Sequence, residues 1–417
     1  MHCPSRCAIL VKPSRPAVAL LQTILRQNPT VILLYAAKAT EMNNAVALKE
    51  YIEDIFAWDT QYNEAIIILK LLIFPYYYRK RMAYIMNTED QEKLLKSITS
   101  ALHETFNNTN LHDPQLVANL VWHLPHYLNS TLLSHGNFIK TGGVFIHAHP
   151  FVKIDHFPDK TQNYVELGDL LLLRTAYRNG QLCDRRAILL QAKKIDGIPA
   201  LPDNINQHHL YANWPIFEYV RSSRHLNGQL RHLRGPDLYN ATKYLLIGNE
   251  DAENYRICCN YYGCEPAIIC SCLQPILTAH PSAPQLSHYY CFARELLDFI
   301  LGNSGKPYST EVHHAETGWN MVIKDLTSCI GLHYSKFMSR ASRDASRARS
   351  AGSNTFFVSG KAEKQSILSK IGVMPEGDSS FGRDVPPDVP DREYIGDYDD
   401  DGGISALEFT VHMEGTE

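Results

Sequence analysis

From Thr88 to Leu124, apolar residues return every three or four positions, the period of a helix with one buried stripe. The first such run opens with TEDQ, where Gln91 follows Thr88 by three as a capping box requires, and continues as LLKSITSALHETF. A second, HDPQLVANLVWHL, places Asp113 as helix cap and Pro114 at the first helical position, with Leu116, Leu120, Val121 and Leu124 on one face. Beyond Gly142-Gly143 the period changes. VFIHAHPFV alternates, while LLLLRTAY and RRAILLQAK are short apolar blocks, so three strands are expected. NINQHHLYANWPIFEYVR returns to a helical pattern bent at Pro215, and TKYLLIGN at 242–249 closes the run with a strand. Helix, three-strand meander, helix, strand is an α/β layer arrangement with largely buried strands.

The flanks carry weaker signals. Residues 1–81 hold helical patterns (AVALLQTIL, YIEDIFAW) and the aromatic, basic run PYYYRKR, and are expected to form an N-terminal helical segment separate from a core over 82–250. Within 251–338 a turn-rich cysteine stretch precedes two amphipathic helices, CFARELLDFILG, ended by Gly302, and WNMVIKDLTSCIGLHYSKFM. From 339 to 417 the chain is first basic (RASRDASRARSAGS) and then acidic. That is the composition of a largely disordered tail, apart from a terminal strand at ISALEFTVHM.

The two apolar blocks inside VELGDLLLLRTAYRNGQLCDRRAILLQAKK have polar ends: Glu166 and Asp169 before the first, Gln191 and Lys193 after the second. Between them, Asn179-Gly180 signals a type I′ turn, whose two central residues need positive φ. Centring the turn there pairs Arg178 with Gln181 and folds the polar ends together. In strict register, however, Asp169 faces Leu190, and alternation puts its side chain on the opposite face from Gln191 and Lys193. A one-residue bulge, or a longer loop through Asp184, brings all three to one face, and such an irregularity is expected.

An acidic residue before a strand, a hairpin, and a strand ending in Gln-Ala-Lys together resemble the PD-(D/E)xK nuclease superfamily, the restriction-endonuclease-like fold. The Gln form is most similar to Mrr-type restriction endonucleases, where Gln replaces the second acid. The resemblance covers roughly 100–250. It implies a metal-dependent endonuclease acting on phosphodiester bonds, with DNA the first expected substrate and RNA left open, in a microbial defence or restriction-type role. It also implies Mg²⁺ or Mn²⁺ held by Asp169, the amide oxygen of Gln191 and a further acid, with Lys193 orienting the attacking water. Asp113 on the preceding helix is the first candidate for that acid, Glu104 the second and Glu166 the third; the plain alternative for Asp113 is a helix cap. Arg174, Arg186, Lys194 and Gln207 are the candidate nucleic-acid contacts. Expected partners are DNA and a second copy or a partner subunit of a defence system. The alternative, favoured by the neutral Gln191, is a nuclease-fold module without activity that serves as a nucleic-acid-binding or assembly subunit.

Composition sharpens this only locally. The 417 residues are 45% apolar with a formal charge of −4, which gives no global attraction to nucleic acid. Between 174 and 234, by contrast, ten Lys and Arg stand against four acids, the kind of local basic region that a phosphate backbone attracts. The opening MHCPSRCAILVKPSRPAVALLQ is interrupted by Lys12, Pro13, Arg15 and Pro16, unlike a secretory signal, and AIIILKLLIF at 65–74 is too short to span a bilayer. A cytoplasmic protein is expected, with its ten cysteines as thiols. Five of these, between 258 and 272, lack the paired spacing of a structural zinc knuckle. His147 and His149 alternate as two metal ligands on a strand would, but satisfied sheet histidines are the plainer reading. Trp214 is expected in the core.

Overall fold

LLLLRTAYR lacks alternation because the strand it forms is buried on both faces, all but its last residue. The computed structural model divides the chain into two compact units, 1–83 and 84–417. It describes residues 86–106, 111–146, 150–195, 204–222, 225–234, 238–248, 276–311, 318–341, 355–358 and 403–414. The expected N-terminal helices, His147, His149 and the cysteine cluster at 258–272 lie outside the described residues.

Two helices, α1 (Thr88–Phe106) and α2 (Asp113–Asn129), lead into β1 (Phe138–Ile146), then β2 (Phe151–Ile154) and β3 (Val165–Glu166). The hairpin follows as β4 (Leu170–Arg178) and β5 (Gln181–Ile195), then α3 (Ile205–Asn213), β6 (Phe217–Val220), β7 (Leu230–Arg231) and β8 (Thr242–Gly248). The remainder comprises β9 (Ile276–His280), β10 (Ser287–Cys291), α4 (Phe292–Leu301), β11 (Lys306–Pro307), α5 (Trp319–Ala341), β12 (Thr355–Val358) and β13 (Ser405–Met413). The main sheet runs β10-β9-β8-β5-β4-β13-β1-β12, with β11 beside β5. β4 and β5 are antiparallel, β5 and β8 parallel, and the sheet is therefore mixed. One face meets α4, through Arg174 and the Phe299–Phe409 ring pair, and α2, whose Val121 lies over Gly143. The other face meets α3, where Tyr211 contacts Tyr244 and Gln207 reaches Gln191. No helix among the described residues is long and apolar enough to cross a membrane.

The hairpin turns at Asn179 (φ 49°) and Gly180 (φ 75°), with Arg178 opposite Gln181 and Tyr177 opposite Leu182. One step further, Ala176 pairs with Asp184, so Cys183 is bulged out. The bulge carries the register to Leu170 opposite Leu190, and Asp169 falls opposite Gln191. The expected irregularity is present, and it gives Asp169, Gln191 and Lys193 a common face.

Three expectations are corrected. The three-strand meander is interrupted, because β13 lies between β1 and β4, antiparallel to the first and parallel to the second. VFIHAHPFV is not one strand: β1 ends at Ile146, and β2 belongs to a second sheet, β3-β2-β6-β7. The helix expected through Arg221 stops at Trp214, which is left-handed (φ 44°) and followed by Pro215. Proline disfavours helical geometry in the residue before it, and Phe217 and Tyr219 then alternate inward as β6. Trp214 is in the core as expected, stacked on Tyr211 at 5.5 Å. The small sheet is tied to α5 by Arg231, whose Nε and Nη2 donate to the Asp325 carboxylate at 2.6 and 3.1 Å.

Candidate active site

The site lies where β4 begins and β5 ends. Asp169 precedes β4 by one residue; its backbone N–H donates to the Leu190 carbonyl at 2.9 Å, extending the ladder one step. Its Oδ2 accepts from the Ala192 N–H at 2.7 Å and from Gln191 Nε2. The approach to Asp169 is tightly held. A Cβ at Gly168 would lie 2.7 Å from the Leu189 side chain and 3.0 Å from the Tyr211 hydroxyl. That hydroxyl donates to the Leu167 carbonyl at 2.6 Å. Burial pushes its pKa well above the ordinary value, with the neighbouring Tyr244, Asp169 and Glu166 adding, so it remains a donor.

Asp113 is not a helix cap. His112 caps α2: its N–H donates to Gln115 Oε1 at 2.9 Å and its carbonyl accepts from Leu116 at 3.0 Å. Asp113, the first helical residue, instead accepts the Lys194 N–H on its Oδ1 at 3.1 Å. In a strand, the N–H and C=O of one residue point to the same edge, and those of the next residue to the other. Ala192 and Lys194 therefore present both groups to the edge lined by Asp169 and Asp113. The Ala192 carbonyl lies on that edge, between the amides that hold the two carboxylates.

Behind Asp169, Gln191 and Gln207 are 1% and 2% exposed. Gln207 is placed by the start of α3, where the Asn204 side chain accepts from the Asn206 and Gln207 amides at 3.0 Å each. Gln207 Nε2 donates to the Glu166 carbonyl at 3.1 Å and to Gln191 Oε1. A single directional chain results: Glu166 carbonyl, Gln207 amine, Gln191 oxygen, Gln191 amine, Asp169 carboxylate.

The chain matches no protein-family model, no curated protein and no solved structure.

The residues expected at the site divide into two groups. Asp169, Gln191, Lys193 and Asp113 converge. Lys193 is partly exposed on the face of Gln191, and its ammonium has no partner among the described residues. Glu166, half-buried on β3, joins through its carbonyl and through its influence on Tyr211. Glu104 is exposed on α1, where its charge acts on His123. Lys194 points to the face opposite Lys193.

Arg174, Arg186 and Gln207 do not present themselves to nucleic acid. Arg174 is fully buried on the α4 face, donating through Nε to the Ile300 carbonyl (2.7 Å) and through Nη1 to Asp184 (2.5 Å). Burial lowers its pKa to about 10, against the opposing pull of Asp184. Arg186 shares Asp184 at 2.9 Å and donates to the Gly305 carbonyl at 2.9 Å. Arg174 ties β4 to the last turn of α4, and Arg186 ties β5 to the turn that follows it. Gln191 also departs from expectation, because it turns its amine rather than its oxygen toward Asp169.

The donor set that remains is Asp169, Asp113 and the Ala192 carbonyl, all hard oxygen. No three His, Cys, Asp or Glu side chains among the described residues group as a metal cage would. One or two carboxylates completed by water and phosphate oxygens is the usual provision for Mg²⁺, so these residues fit that ion. Sequence reasoning passed over Tyr211 as an anchor, although its spacing of four from Gln207 already put both on one helix face.

Proposed function

We propose that the chain hydrolyses phosphodiester bonds, those of DNA in the first instance, with Mg²⁺ or Mn²⁺, on a restriction-endonuclease-like core. The observation that carries this reading is the docking of Asp169 and Asp113 onto successive outward amides of β5, with the Ala192 carbonyl between them. Around them, α2, the β4–β5 hairpin, α3 and β8 parallel to β5 support this reading as elements of such a core, although β13 interrupts its meander.

Asp169 and Asp113 would hold the cation with the Ala192 carbonyl, which strand pairing leaves on the same edge. A bound Mg²⁺ supplies polarisation of the phosphate and a lowered pKa for an attacking water. Lys193, without a counter-charge among the described residues, offers its ammonium to the phosphate oxygens, where negative charge grows as water attacks. Gln191 and Tyr211 touch no substrate; they hold Asp169 in position.

A second reading has one observation in its favour. With Gln191 donating to Asp169, the site has fewer cation ligands than the expected form, as suits a binding or assembly module without activity. Incubating supercoiled plasmid with wild type, Lys193→Ala and a chelated control separates the two. Cleavage that needs Mg²⁺ or Mn²⁺ and is lost in Lys193→Ala supports the enzyme; binding without cleavage under all metals supports the module.

A further inference from the structure

The two buried glutamines are oriented by the groups at the ends of their chain. The Glu166 carbonyl can only accept, so Gln207 must turn its amine toward it. The second hydrogen of that amine points at Gln191, which must answer with oxygen. Gln191 is left with its amine toward Asp169, which also only accepts. Every link is satisfied in this direction. Inverting Gln191 alone would oppose two amines at one end and two oxygens at the other.

A divalent cation beside Asp169 changes one end of this balance. An oxygen of Gln191 facing the cation becomes favourable, while the amine-to-amine conflict with Gln207 persists. We infer that Gln207 is a positioning residue that fixes Gln191 as a donor to Asp169 and so keeps the divalent affinity of the site low until phosphate oxygens complete it. The inference rests on reading Asp169 as the cation carboxylate. Its consequence is that cation and nucleic acid bind cooperatively, the amide of Gln191 withholding the ligand that would let cation bind alone.

Mn²⁺ titration of the full chain, followed by electron paramagnetic resonance of the free ion, tests this, with Asp169→Asn defining the Asp169-dependent component. Gln207→Met removes the opposing amine at similar volume and should tighten that component about three- to tenfold, the scale of one hydrogen bond. On a Gln191→Leu background the same change should leave it unmoved. Equal or weaker Mn²⁺ binding in Gln207→Met, the same gain without Gln191, or no Asp169-dependent binding in any variant overturns the inference. If Gln207→Met does not fold, Gln207→Glu serves, since its carboxylate accepts from an inverted Gln191. Its gain must then exceed the gain seen on the Gln191→Leu background, where only its charge acts; an equal gain contradicts the inference. Plasmid cleavage is scored in parallel. A wild type that never cleaves but shows the Gln191-dependent gain loses the nuclease reading and keeps the positioning role. Cleavage with unmoved Mn²⁺ affinity does the reverse.

Discussion

One carboxylate oxygen, Oδ2 of Asp169, accepts from two consecutive residues of β5, and small changes near it should be felt in function before stability. Gly168→Ala pushes a Cβ against Leu189 and the Tyr211 hydroxyl. Cleavage should fall roughly 10–100-fold, the scale of a displacement near 1 Å at a reacting centre, with the fold retained by circular dichroism. Unchanged rates would mean that the approach to Asp169 is looser than its contacts suggest. Asp184 is the opposite case. Asp184→Ala leaves the buried Arg174 without its counter-charge and should cost roughly 3 kcal/mol in denaturant unfolding, because a buried charge losing its partner is expensive. That Asp169, Gln191 and Lys193 would meet at one end of the hairpin was legible in the sequence, because the Asn-Gly turn and strand alternation fix which positions come together. Arg174 and Arg186 were not: counting local charge cannot show that a strand turns these side chains into the core.

At the scale of elements, the bulge at Cys183 reconciles the Asn-Gly turn with the face that Asp169 must share. Deleting Cys183 removes the bulge but keeps Ala176 opposite Asp184 and Leu170 opposite Leu190. The shortened chain should therefore fold and retain cleavage, whereas loss of both would show that the bulge matters for strand twist rather than register. β13 is the larger surprise. Its pattern ISALEFTVHM predicted a strand, but nothing local told where it would insert, since pairing across more than 200 residues leaves no periodic trace. Removing 403–417 strips the partner from both β1 and β4 and exposes two inner sheet edges, so the product should be insoluble or unfolded by circular dichroism. α3 ended early for a reason the sequence did show, Pro215; its effect on Trp214 was underestimated as a bend.

For the molecule as a whole, acid stability follows a group remote from the site. His280 on β9 has its pKa pushed down to about 4, by burial first and then by Lys243, which is itself ion-paired to Glu295 at 2.7 Å. The unfolded chain takes up this proton below the ordinary 6.5, and the folded chain only near 4. Stability should therefore decline as pH falls from 6.5 to 4, and His280→Gln should flatten that part of the melting-temperature profile; parallel profiles would contradict the assignment. Much of the α/β architecture was visible in the periodicities, because helix and strand periods survive burial. The order of the strands was not, because order is decided by which faces find partners. The proposed activity requires Asp169 and Lys193 to act together on a phosphodiester. It is tested most directly by measuring duplex binding, by fluorescence anisotropy in Ca²⁺, and cleavage in Mg²⁺ on the same preparations of wild type, Asp169→Ala and Lys193→Ala. Wild type and Lys193→Ala should bind within a few-fold of each other, Asp169→Ala should lose the Ca²⁺-dependent part of its binding, and only wild type should cleave. Equal cleavage by all three, or binding without cleavage by wild type in Mg²⁺ and Mn²⁺ alike, would contradict it.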